Sequence, residues 1–203
     1  MATETELKYL LSATGFQRLV EALGRPARVA QQHNVYFDTP QKSLARRRMA
    51  VRIRTVGSTR TLTVKRSAKS GSQLGLSVRE EYECRLTPKA AELIRSKPSS
   101  AQLHRLAPWR KLLEGIDEKR VGMLKQTASM HTKRSVYPMA RGVVLELDEV
   151  TLASGSKFYE VELECHNAVR ARRFLTQVFS QAGVRARPVR RTKLARVMRE
   201  LRK

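Results

Sequence analysis

The sequence predicts an α+β fold: an antiparallel sheet of eight strands with one apolar and one charged face, and helices laid against the apolar face. Three observations carry this reading. Six short segments place charged or hydroxyl residues on alternate positions, which puts them on one side of a β-strand. They are Glu4, Glu6 and Lys8; Arg52 and Arg54; Thr61, Thr63 and Lys65; Arg79, Glu81 and Glu83; Glu146 and Asp148; and Glu160, Glu162 and Glu164. The residues between them are apolar: Leu7 and Tyr9, Val51 and Ile53, Leu62 and Val64, Tyr82 and Cys84, Leu145 and Leu147, Val161 and Leu163. Gly and Ser turn signals separate several of the runs.

Taken in order, the first strand lies near residues 3–11 and a helical pattern follows over 13–24. Strands near 31–38, 47–56 and 59–67 come next, the last two joined by a hairpin turn at Val56-Gly57-Ser58-Thr59. The Gly/Ser/Lys stretch from Ser67 to Gly75 reads as a mobile loop before a strand near 77–87. Helical patterns over 88–95 and, with breaks, 101–128 form an insert, and its part around 96–125 reads as a cover over one end of the sheet. Strands near 131–138 and 142–150 flank a turn at Ala140-Arg141-Gly142, and the eighth strand lies near 158–165. A helix over 167–182 carries Val169, Phe174, Leu175, Val178 and Phe179 at helical spacing and can cover the apolar face. A last helical pattern, 191–201, lies within a basic C-terminal helix at about 185–203. At 203 residues the chain reads as a single domain over 1–203.

Composition narrows the partners. Lys and Arg number 41 against 18 acids, a net charge of +23, which predicts affinity for phosphate chains, nucleic acid or an acidic surface. No apolar run approaches the roughly 18 residues of a membrane span and no signal-peptide stretch opens the chain, so the expectation is a cytoplasmic protein without a membrane partner. Cys84 and Cys165 are too few and too far apart for a disulfide framework or a zinc site, and read as small buried side chains. His33, His104, His131 and His166 lack ligand spacing and read as structural or surface residues, with His131 opening a strand near the barrel mouth. Trp109 is the only Trp, and the five Tyr and five Phe mostly fit apolar faces, which disfavours a base-stacking platform for nucleic acid. Residues 185–203 hold nine basic residues and one acid, Glu200: a solvated helix or linker, or a docking surface for nucleic acid or polyphosphate.

Half of the chain's 18 acids sit on the alternating faces. Carboxylates two positions apart lie roughly 7 Å from each other and repel by about 2 kcal/mol at an effective dielectric of ~20. A solvated sheet face is one reading of the pattern. The other closes the eight strands with the charged face inward, giving a barrel that holds one small ligand and needs cations to keep its carboxylates ionised. Glu and Asp without His or Cys partners favour hard cations, Mg²⁺ or Mn²⁺. Arg52, Arg54, Lys65 and Arg79 supply what a phosphate chain needs.

Taken together, Glu4-x-Glu6-x-Lys8, Tyr36-Phe37-Asp38-Thr39, Arg52-x-Arg54, Lys65, Arg79-x-Glu81-x-Glu83, Glu146-x-Asp148, Glu160-x-Glu162-x-Glu164 and Thr192-Lys193 resemble, in order and over nearly the whole chain, the CYTH superfamily of triphosphate tunnel metalloenzymes. The subfamily it is most similar to is that of bacterial inorganic triphosphatases of the kind fused to a CHAD domain. The resemblance implies an eight-stranded antiparallel β-barrel, the tunnel, with a charged interior and helices outside. It implies metal-dependent hydrolysis of a triphosphate, inorganic triphosphate first. Thiamine triphosphatase and class IV type adenylate cyclase are alternatives on the same site, and a non-catalytic polyphosphate or nucleic-acid binding module is the alternative of another class. By position, Glu4, Glu6, Glu160 and Glu162 would hold the metal. Glu81, Glu83, Glu146, Asp148 and Glu164 would complete the acidic set, one of whose glutamates is the unassigned general base. Lys8, Arg52, Arg54, Lys65, Arg79, Arg134 and Lys193 would bind the triphosphate, with Arg134 chosen over Lys133, and Lys193 over Arg190 and Arg191. Polyphosphate and a homodimer remain open as partners.

Overall fold

The structure of the chain is a computed structural model that describes residues 2–67, 75–96, 124–139, 142–189 and 191–200. Its strands are β1 (Ala2–Leu11), β2 (Arg28–Asp38), β3 (Met49–Val56), β4 (Thr59–Ser67), β5 (Leu76–Leu86), β6 (Lys125–Pro138), β7 (Val144–Leu152), β8 (Lys157–Glu164) and the short β9 (Arg187–Pro188). Every pairing is antiparallel, in the order β5-β4-β3-β2-β6-β7-β8-β1, and β5 pairs back onto β1, so eight strands close into a barrel. β9 lies beside Tyr9 and Leu10 of β1. The described helices, packed outside, are α1 (Ala13–Leu23), α2 (Ser43–Arg46), α3 (Pro88–Ser96), α4 (Ala168–Gln181) and α5 (Lys193–Glu200).

Closure decides which way each residue class points. The interleaved apolar residues face outward into two clusters. In one, Val51, Ile53, Leu62 and Val64 pack with Leu44, Ala91 and Ile94, so α2 and α3 cover β2–β5. In the other, Leu7, Leu145, Leu147, Val161 and Leu163 pack with Leu19, Ala171, Leu175, Val178 and Phe179, so α1 and α4 cover β1, β7 and β8. The ends of both helices are set locally. Ser12 accepts a hydrogen bond from the Gly15 N–H at 3.0 Å, and Asn167 accepts one from the Arg170 N–H at 3.0 Å, each satisfying a first-turn donor. A third cluster joins Tyr36, Ala128, Met130, Val150 and Leu152 to Val197, with Leu194 and Met198 against it, and seats α5. Among the described residues no helix is long and apolar enough to cross a membrane.

The structure corrects several expectations. Lys125 to Ala128 do not end a helix: they begin β6, whose pairing with β2 extends to Asp38↔Lys125 across a register shift at Tyr36/Phe37. Residues 101–123, with His104 and Trp109, lie outside the described residues, as do loop residues 68–74 and turn residues 140 and 141. The C-terminal basic helix does not run over 185–203, since Arg187–Pro188 is a strand and the described helix is Lys193–Glu200. His131 does not open a strand at the mouth. It sits within β6, and its ring stacks on His33 at 4.5 Å between centroids. Val169 is 71% exposed rather than part of the covering face of α4. The hairpin at Gly57 forms as expected, with Val56 opposite Thr59 and Gly57 at a φ of 54° that glycine adopts without strain.

Candidate active site

Inside the barrel the alternate residues of seven of the eight strands surround a cavity of about 1080 Å³, while Glu146 and Asp148 of β7 are off its described lining. Its described lining includes Glu6, Lys8, Arg52, Arg54, Lys65, Arg79, Glu81, Glu83, Arg134, Glu162 and Lys193, which are most of the site residues expected from sequence. The register explains the grouping. Lys8 lies opposite Glu162, Glu162 opposite Glu146, Glu160 opposite Asp148, and Asp148 opposite Arg134. One wall, β6–β7–β8–β1, is therefore acidic.

That wall is also densely paired. Arg134 binds both oxygens of Asp148 (Nε to Oδ1 2.8 Å, Nη2 to Oδ2 2.6 Å), reaches Glu162 at 2.7 Å and contacts Glu146. Lys8 Nζ lies 2.9 Å from Glu162 and 2.8 Å from Glu6 Oε1, the second contact lacking hydrogen-bond alignment. Lys193, carried in by α5, donates to Glu162 at 2.7 Å and to Asp148. Burial would raise the carboxyl pKa of Glu162, but Lys193, Lys8 and Arg134 hold it well below the usual range. Asp148 is likewise lowered, by Lys193 and Arg134 against its burial. Burial also acts to lower Lys193, yet Asp148, Glu162 and Glu160 keep its pKa raised. Glu146 is raised by burial more than Arg134 lowers it.

Glu160 is 0% exposed and stands behind Lys193 (3.5 Å) and Arg196 (3.7 Å), off the described cavity lining. Neither of its oxygens makes a hydrogen bond, and burial pushes its pKa up. Glu164 is exposed at the end of β8 and does not line the cavity. Glu4 lies in β1 opposite Arg79, and its side chain is outside the described ones. Lys133 is exposed, opposite Glu149, so it is Arg134 that turns inward.

The other wall, β3–β4–β5, is cationic and loosely paired. Lys65 has Glu81 at 2.5 Å, while Arg52 has Glu81 and Glu83 only at 3.9 and 4.0 Å. Arg52 donates to Thr63 Oγ1 at 3.2 Å, and its buried Nε has no partner. Arg54 donates from Nε to the Asn34 side-chain oxygen at 3.1 Å and makes no ion pair among the described residues. Burial, then the neighbouring charges of Arg52 and Arg134, push its pKa down to about 10. Guanidinium groups in this condition can take an anion.

Residues that the charge pattern could not reveal complete the lining: Gln32, Asn34, Tyr36 and Thr132, uncharged side chains on the inner faces of β2 and β6. Their alternation with Val35, Phe37 and His33 was the available signal. Gly75 fixes β1 from the side. Its carbonyl accepts from the Lys8 N–H at 2.9 Å, its φ is 82°, and a Cβ there would lie 2.9 Å from the Lys8 carbonyl oxygen. Only glycine meets both demands.

The residues present fit a hard divalent cation in one respect: Glu6 Oε1 and both Glu160 oxygens are buried acceptors without a hydrogen bond. Among the described residues no three acidic, His or Cys side chains form a ready metal cluster.

Comparison with known proteins agrees with this geometry. The family model of the CYTH domain matches residues 2–188. Similar solved structures include HpAC1 from Hippeastrum, a proposed adenylyl cyclase that reveals a dominant triphosphatase activity (28% identity, TM-score 0.85, 97% of this chain and 95% of that one). A proposed adenylate cyclase from Bacillus halodurans is 26% identical with a TM-score of 0.71, over 94% and 95% of the two chains. PH1819 from Pyrococcus horikoshii, at 20% identity and a TM-score of 0.63 over 97% and 99%, shares the fold. Among curated proteins, none matches the chain.

Proposed function

The chain belongs to the CYTH domain family, whose triphosphate tunnel metalloenzymes use divalent metal ions, and from that premise we propose that it hydrolyses inorganic triphosphate to pyrophosphate and phosphate inside its barrel. The observation that carries this reading is Arg54 with Arg52: one half-buried and one buried guanidinium group, short of carboxylate partners, facing an acidic wall across the cavity. A phosphate chain satisfies the first, and the cation it carries satisfies the second. Arg52, Arg54, Lys65 and Arg79 hold the equatorial phosphate oxygens, and Lys8, Arg134 and Lys193 steady the chain from the other side. Glu6 and Glu162 reach the cavity and, with Glu4, would hold Mg²⁺ or Mn²⁺; Glu160 would join them once Lys193 moves off it. When bound, that cation neutralises phosphoryl charge and lowers the pKa of water. A carboxylate of the acidic set takes the proton of the water that attacks in line, while the arginines stabilise the leaving pyrophosphate. The relative described as a triphosphatase supports hydrolysis as the reaction.

The test is phosphate release from inorganic triphosphate, ATP and thiamine triphosphate, each with Mg²⁺, Mn²⁺ or chelator. Chelator-sensitive turnover fastest on inorganic triphosphate is the expected result. Cyclic AMP from ATP would move the chain to cyclase chemistry, and binding without turnover of any substrate would make it a polyanion-binding module.

A further inference from the structure

Of the four cavity-lining cations that the reading above leaves unused, Lys42, Arg48, Arg191 and Arg199, the first two are held in a backbone conformation that side chains rarely adopt. Lys42 (φ 55°) and Arg48 (φ 57°) are the non-glycine residues with positive φ among those described, and both line the cavity from either end of α2. The segment is built to keep them there. Buried Asp38 accepts at Oδ1 from the N–H groups of Thr39 (2.7 Å) and Leu44 (3.0 Å), and at Oδ2 from that of Ala45 (3.1 Å). Thr39 Oγ1 accepts from the Ser43 N–H at 2.8 Å, and the Thr39 carbonyl accepts from the Lys42 N–H at 2.8 Å. Leu44 anchors the turn in the core, and the Arg48 carbonyl accepts from the Ser67 N–H of β4 at 3.0 Å. Strained backbone that its surroundings over-determine, beside a cavity, marks a functional position. Glycine or asparagine would serve such a turn at lower cost, yet the chain carries Lys and Arg.

We propose that Lys42 and Arg48 form an outer anion subsite that takes the phosphate beyond the third of a linear inorganic chain, so that the tunnel distinguishes chains by length. This rests on the triphosphate reading and extends it. Arg48 precedes Arg52 by four residues, roughly 13 Å at 3.3 Å per residue. Ala50, which also lines the cavity, lies between them and brings no charge. The line of cations thus resumes, after a gap, past the part of β3 that faces the triphosphate. Both side chains are exposed at the rim, where an additional phosphate meets two charged donors and a nucleoside offers only a neutral sugar.

The experiment is calorimetric titration of inorganic triphosphate and tetraphosphate, in chelator, into the wild type and a Lys42→Gly, Arg48→Gly double variant. Glycine accepts both φ values, so the fold is expected to persist; if it does not, the corresponding Asn double variant replaces it. The wild type is expected to prefer tetraphosphate, and the double variant to lose about tenfold more affinity for tetraphosphate than for triphosphate. Equal losses for the two chains, or a wild type without preference, would overturn the subsite. A wild type that binds with the preference but hydrolyses neither chain overturns the proposed activity and leaves the subsite standing. Hydrolysis of triphosphate without a length preference removes the subsite alone.

Discussion

The two walls of the tunnel carry similar side chains in opposite electrostatic conditions. On β6–β7–β8–β1, Glu162 alone meets Lys8, Arg134 and Lys193 within 2.9 Å. On β3, Arg54 has an amide oxygen for a partner and Arg52 has carboxylates no nearer than 3.9 Å. On the first wall the carboxylates of Glu162 and Asp148 are paired within the protein itself. On the second wall burial and like charges act against Arg54, a cost that an anion bound there, as proposed, would relieve. Stability and binding should therefore separate when the walls are perturbed one at a time.

The largest effect is expected on the acidic wall. Glu162→Gln removes the shared partner of three buried cations and should lower stability by about 3 kcal/mol. It should also cut hydrolysis on the order of 10³-fold, with native circular dichroism at low temperature; retained turnover would remove Glu162 from the site. Arg54→Ala should do the reverse. No described carboxylate loses a partner and Arg52 loses a like-charged neighbour, so Tm should hold or rise, while KM for triphosphate rises about 10- to 100-fold. A fall in Tm comparable to that of Glu162→Gln would erase the distinction between the walls. Between them sits Gly75, where Gly75→Ala forces a Cβ against the Lys8 carbonyl at positive φ. The expected loss is about 2 kcal/mol, or roughly 4–8 °C in Tm.

The smallest effect is the acid limb of the stability curve. The folded pKa values of Asp148 and Glu162 lie below their unfolded ones, so their contribution is fully present above the ordinary carboxylate value of about 4 and is lost as pH falls through the folded values. Glu146 and Glu160, raised, act with the opposite sign: they cost stability above their folded values, and acidification toward their unfolded values relieves that cost. Tm should hold on mild acidification and then fall, and Asp148→Asn should flatten the fall. A profile unchanged by that substitution would show that the pairing contributes nothing at acid pH.

Much of this was legible in the chain because the barrel inverts the usual rule. Charges at Glu6, Arg52, Glu81 and Glu162 mark the interior, Leu7, Val51 and Leu163 mark the outer face under the helices, and a period of two separates them cleanly. What stayed hidden depends on contacts between distant segments. The start of β6, Lys125-Gln126-Thr127-Ala128, has no strand-forming pattern of its own and is extended by pairing with β2. Glu160 shares the alternation of Glu162, yet α5, seated by Val197, Leu194 and Met198, brings Lys193 and Arg196 across it. Lys42 lies outside any periodic segment, and the Asp38-centred turn brings it to the cavity; Arg48 falls at the start of the strand expected near 47–56, but the bare alternation does not show that its backbone turns to positive φ there.

The measurement that tests the central claim most directly is calorimetric binding of inorganic triphosphate, in chelator, to the wild type and to Arg54→Ala. The unsatisfied cationic wall predicts binding to the wild type that is weakened at least about tenfold in the variant, whose Tm without ligand is undiminished. Equal affinities in the two proteins would contradict it, because the phosphates would then be held by the acidic wall's own cations and not by β3.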